Sequence, residues 1–221
     1  MQAKGGWIAA MVGAVTIGLL AGGCGTADEG GGGSASFGSV AELDGTVRED
    51  GAVDTSGQPI VGGAGGSVHR AFFSFDLSSL PAGATVRAAT LSLYQGATVG
   101  NPFGPGPGSS QMGDVVVDLV DFGATEAGVE FSNATVRPNV GTLSTSHAVG
   151  WRQLSVTEAV QDAVTSGRRY VQFRLRFSRD DTYGSLDDYA WFVDAACLGC
   201  SSGNPVPRLD VEYTADQAGP G

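Results

Sequence analysis

Three groupings of side chains in this 221-residue sequence are of the right types to do chemistry. Arg174 and Arg176 alternate along residues 170–177, with Arg168 and Arg169 just before them and Arg152 upstream, and these make the one concentration of positive charge. Two guanidinium groups about 7 Å apart on one strand face could hold successive carboxylates of an acidic glycan in bidentate fashion. The plainer reading is that they line the solvent face of a half-buried strand and pair with acids on its neighbours. In the loop 180–188 lie four carboxylates, those of Asp180, Asp181, Asp187 and Asp188. Hard oxygen donors suit Ca2+, and their mutual repulsion favours a cation if they converge, so calcium is the one cofactor suggested. Their spacing is not that of an EF-hand loop, and the alternative is a solvated acidic turn. Finally, Tyr94, Trp151, Tyr170 and Trp191 could stack on sugar rings through their apolar faces, or simply fill the core.

Composition narrows what these groups could serve. The formal net charge is -11, from 12 Lys plus Arg against 23 Asp plus Glu, which argues against binding nucleic acid through its phosphates. The only lysine is Lys4, and His69 and His147 are the only imidazoles, too few for a three-histidine zinc site. No nucleophile elbow, HExxH pair or dinucleotide fingerprint occurs, so the chain reads as a non-enzyme. Carboxylates are numerous enough for a glycosidase pair, but sequence does not show two at the required separation.

The N-terminus reads as an export signal. Lys4 is followed by an uncharged apolar stretch ending in Leu19-Leu20-Ala21-Gly22-Gly23-Cys24, where small residues precede a cysteine. This resembles a bacterial lipobox, which predicts a lipoprotein signal over residues 1–23, cleavage before Cys24 and a lipid on that cysteine. The protein would then be anchored in a bacterial envelope, at the outer membrane if the producer is Gram-negative. An uncleaved membrane anchor is the alternative. Lipidation of Cys24 leaves Cys197 and Cys200, in Cys-Leu-Gly-Cys, as a pair, and in an oxidising compartment a short disulfide loop is expected.

The elements that must position these groups are strands. Residues 24–38 are rich in Gly and Ser and read as a flexible tether. From Val40 onward about eight short apolar alternations are separated by Gly- and Pro-rich loops, the pattern of a sandwich rather than of alternating α/β units. The clearest is 170–177, with Val171, Phe173, Leu175 and Phe177 on one face. Others cover 70–76, 85–94, 115–120 and 207–213. One helix is expected before 170, opened by a capping box of Ser155 and Glu158 and stopped at Gly167. Residues 39–214 therefore form one domain, and 215–221 a flexible tail.

The run Phe73-Ser74-Phe75-Asp76-Leu77-Ser78-Ser79-Leu80-Pro81-Ala82-Gly83-Ala84-Thr85-Val86, leading to Ala89-Thr90-Leu91-Ser92-Leu93-Tyr94, resembles the opening of the DNRLRE domain family, described also as a carbohydrate-binding module. Leu154-Ser155-Val156-Thr157-Glu158-Ala159-Val160-Gln161 is similar to that family's D-V-T-x-x-V-Q segment, with serine in place of aspartate. Pro207-Arg208-Leu209-Asp210-Val211-Glu212-Tyr213 is similar to its closing strand. The resemblance implies an exported β-sandwich of jelly-roll type, and with the one short helix read from the residues above the expected fold is all-β. The resemblance also implies a role in binding polysaccharide, in some members acidic, and it transfers no ligand residue. The expected function is thus a lipid-anchored, non-catalytic surface module for polysaccharide. The alternatives are a structural or adhesion protein of the envelope that binds another protein, or a cryptic glycan-degrading enzyme.

Overall fold

A computed structural model describes residues 31–104, 111–125, 130–132, 134–180, 187–196 and 205–215. Its strands are β1 (Gly31–Gly38), β2 (Gly45–Arg48), β3 (Val53–Asp54), β4 (Ile60–Ala64), β5 (Ser67–Asp76), β6 (Thr85–Val99), β7 (Val115–Val120), β8 (Thr135–Ser144), β9 (Gly150–Ser155), β10 (Tyr170–Phe177), β11 (Asp188–Phe192) and β12 (Arg208–Ala215). The helix α1 spans Thr157–Thr165.

Every strand pairing is antiparallel, and together they make an all-β sandwich. One layer runs β2, β5, β10, β7, β8, and the other β1, β12, β6, β9. β4 continues beside β5, β11 continues beside β6, and these two pair with each other to join the layers. Between the layers lies one core that draws Phe73 and Phe75 from β5, Leu91 and Leu93 from β6, Leu119 from β7, Phe192 from β11 and Leu209 from β12. From β10 it takes Val171, Phe173, Leu175 and Phe177, the face that the period of two marks in the sequence.

The reverse face of β10 is not a solvent face. A second, smaller cluster of Leu43, Val47, Phe72, Val120 and Phe122 packs over it, so that Gln172 and Arg174 are buried too. Covering a central strand on both sides explains why Phe72 and Phe73 stand side by side in β5.

Two expectations about local structure change. Residues 31–38 of the expected tether form β1, paired with β12 from Gly31↔Ala215 to Gly38↔Arg208, with Phe37 buried and the Ser36 hydroxyl donating to Asp210 at 2.7 Å. Strand pairing uses backbone groups, so a Gly/Ser segment can complete a sheet edge whose partner supplies the apolar side chains. The domain therefore begins before residue 39. The expected capping box is also absent, because Val156, the residue before the helix, makes no side-chain cap and is buried in the core. The Ala89 N–H donates to the Thr157 hydroxyl, and Glu158 turns outward to Arg137 at 2.6 Å. The stop at Gly167 does form: with φ at 64°, its N–H reaches Val164 O while Arg168 N–H reaches Ala163 O, the paired bonds of a Schellman turn.

Candidate functional site

Three aromatic side chains share the outward face of the second layer. Leu93 on β6 points into the core, so Tyr94 points out, and it pairs directly with Trp151 on β9. The two rings meet edge to face, with centroids 5.7 Å apart, and Trp151 keeps 44% of its surface exposed. On β11, Ala190 and Phe192 enter the core, which sends Trp191 outward as well. Its ring lies flush on Gly96, where a Cβ would come within 2.1 Å of a ring carbon. Gly96 follows Tyr94 by two residues on the same face of β6, so Trp191, Tyr94 and Trp151 run in a row across the sheet. The polar edge of the row is Ser92 with Gln153, whose amide donates to the Ser92 hydroxyl at 3.3 Å. Beyond them, Arg208 is paired to Asp210 at 2.8 Å. Ser92 itself is buried, so what the arrangement offers is the exposed indole face of Trp151 beside the exposed Gln153, a pairing of apolar ring and amide that suits sugar recognition.

Strand alternation around Tyr94 and Trp151 puts Ser92 and Gln153 on the same face, but the register that pairs β6 with β9 exists only in the fold.

The arginines sit elsewhere. Arg174 Nη2 and Arg176 Nε each lie 2.9 Å from Oδ2 of Asp118, a carboxylate with no exposed surface. The Asn139 N–H completes its coordination at 2.8 Å. Burial by itself would raise the pKa of Asp118, but Arg176, the Asn139 N–H and Arg174 together hold it below the usual carboxylate range. A free guanidinium pair for an acidic ligand is therefore not what β10 provides. Its charges are spent on an aspartate directly opposite in the sheet. Arg152 points away from Trp151, to the other side of β9, where Nε contacts Ser144 Oγ at 3.0 Å and Gln95 Oε1 at 3.3 Å and the guanidinium also reaches the Ala148 and Trp151 carbonyls.

The acidic loop is likewise distributed. Asp180 pairs with Arg70 at 2.6 Å, beneath the Phe131 carbonyl and ring. Asp187 accepts the Gly65 N–H at 2.8 Å, and Asp188 is buried against the Asn101 N–H at 2.6 Å. These three do not converge, and among the described residues no three acidic, histidine or cysteine side chains form a metal cluster. Asp181 lies outside the described residues, as do Cys24, Cys197, Cys200 and the signal segment.

Compared with known proteins, the chain matches no family model, and no curated protein matches it significantly.

Proposed function

We propose that this chain is an exported, lipid-anchored, non-catalytic module that binds polysaccharide along the row of Trp191, Tyr94 and Trp151. The reading rests on the common outward face of these three rings, together with the resemblance of residues 73–94, 154–161 and 207–213 to a carbohydrate-binding family. The half-exposed indole of Trp151 is the natural stacking surface, since an aromatic ring exchanges water for the apolar face of a sugar at little entropic cost. Because Arg174, Arg176 and Arg208 are each committed to a carboxylate, the site suits a neutral glycan better than an acidic one. A glycan-array screen with protein beginning at residue 25, followed by titration calorimetry on the best ligand, tests it. Trp151→Ala should lower affinity about tenfold or more while the Arg174→Gln, Arg176→Gln double variant, where folded, should bind as the parent does. An array without reproducible binding would move the assignment to an envelope protein that binds another protein.

A further inference from the structure

The row of rings ends at Trp151, but the exposed line of β9 continues. Trp151, Gln153 and Ser155 are the exposed side chains of that strand and alternate with Arg152 and Leu154, so they share one face and carry it about 13 Å past the indole. At Ser155 the line opens into a groove of about 560 Å3 between the start of α1 and β8. One wall carries Ser155, Thr157 and Glu158, and the other Arg137, Pro138 and Asn139. An irregularity builds the β8 wall. Leu119 pairs with Arg137 and Val117 with Gly141, so three residues, 138–140, stand opposite Asp118 alone. In this bulge Asn139 has a φ of 49°, in the left-handed region that a non-glycine residue enters at a cost. Its N–H is turned back to Asp118 at 2.8 Å, whereas its carboxamide is exposed and has no hydrogen-bond partner among the described residues. Glycine would meet the demand of the backbone more easily. What asparagine adds is a carboxamide, carried to the groove by a bulge at the edge of the sheet.

We propose that this groove is a second sugar subsite, continuous with Trp151 along β9, so that the protein holds several consecutive units of a neutral polysaccharide rather than a single sugar. The inference rests on the reading of the aromatic row as a sugar site. A carboxamide both donates and accepts, which matches neighbouring hydroxyls on a pyranose ring. Ser155 and Glu158 add a hydroxyl and an acceptor from the facing wall, and the exposed Pro138 ring gives an apolar surface beside them. Arg137 is held by Glu158 at 2.6 Å and by Asp162 at 2.7 Å, so its charge is already matched and the groove favours an uncharged ligand. The distance from Trp151 to Ser155 exceeds one sugar ring. Only a chain lying along β9 touches the indole and the groove at once.

The test is isothermal calorimetry of the purified chain with four ladders of neutral fragments, two to six units long, cut from cellulose, xylan, mannan and starch. The expected result is that in at least one ladder affinity rises about tenfold or more from the two-unit to the six-unit fragment. Asn139→Gly suits the left-handed backbone and keeps the N–H bond to Asp118, so it retains the fold while deleting the carboxamide. It should erase most of the rise, and Ser155→Ala should act in the same direction, whereas Trp151→Ala should weaken every fragment. A six-unit fragment that binds no more tightly than a two-unit one would overturn the second subsite and leave sugar binding at Trp151 in place. So would a rise retained in both Asn139→Gly and Ser155→Ala. Absence of binding in all four ladders would overturn the subsite together with the aromatic row as a site for neutral glycans.

Discussion

Asp118 and Asp44 are both aspartates without exposed surface, and the protein treats them in opposite ways. Asp118 sits in the middle of a sheet between two guanidinium groups and a backbone N–H, and its charge is held in place. Asp44 sits between the turn after β1 and the start of β2, where its Oδ1 accepts the Ser74 N–H at 3.0 Å and no arginine pairs with it among the described residues. Depth alone thus says little about what a buried carboxylate does. The identity of its neighbours decides whether it serves as a fixed structural ion or as a group that changes state.

The largest effect should come from breaking the satisfied cluster. Asp118→Ala leaves Arg174, whose side chain is only 8% exposed, without its counter-charge, and unfolding in urea should show a loss of about 3 to 5 kcal/mol. A loss under about 1 kcal/mol would mean that the Asp118 cluster is no better compensated than an exposed pair.

The pH dependence of stability separates the two aspartates by sign. Asp44 has a pKa raised by burial in the folded state, so it stays protonated after the unfolded chain has ionised. Stability should therefore fall as pH rises from about 4 to about 7, by on the order of 3 kcal/mol, and Asp44→Asn should flatten that slope. Asp118 has a lowered pKa, so its contribution is present above the ordinary aspartate value and is lost as pH drops through the folded one. Urea midpoints measured across pH 3 to 8 in the parent and in Asp44→Asn would show whether both slopes exist; a slope unaltered in Asp44→Asn would remove Asp44 as its source.

The smallest effect belongs to an exposed pair. Arg169 reaches Asp76 at 2.7 Å, and this contact holds Asp76 down to about 2. Its guanidinium is largely in water, so Arg169→Gln should change stability by no more than about 0.5 kcal/mol. A loss comparable to that of Asp118→Ala would show that ion-pair geometry outweighs burial in this protein.

Much of the sheet was legible from residue pattern. β10 spans the expected 170–177, and its apolar set enters the core, because a strand with one face against the interior must alternate. β7 covers the expected 115–120, whose near-continuous valines suit burial on both faces. Gly167 ended the helix as its conformational freedom allows. The site was less legible. Nothing in the spacing of Tyr94, Trp151 and Trp191 says that they share a face, since a strand register and the contact of Trp191 with Gly96 bring them together. The expected pairing of Arg174 and Arg176 with an acid on a neighbouring strand does form, at Asp118, but the alternation of β10 cannot reveal that their face is covered, because the cover comes from Leu43, Val47 and Phe122, residues distant in the chain.

By itself, the sequence determined what depends on neighbours a few residues away: the strand-forming alternations, the turn at Gly167 and the acidic balance of the chain. The tertiary structure decided what depends on long-range pairing. It turned residues 31–38 into an edge strand, assigned Asp118 as the partner of Arg174 and Arg176, and buried Asp44. Backbone hydrogen bonds and ion pairs carry no mark in the local pattern of either partner. Their energies exist only after the sheet has folded over and taken both partners out of water.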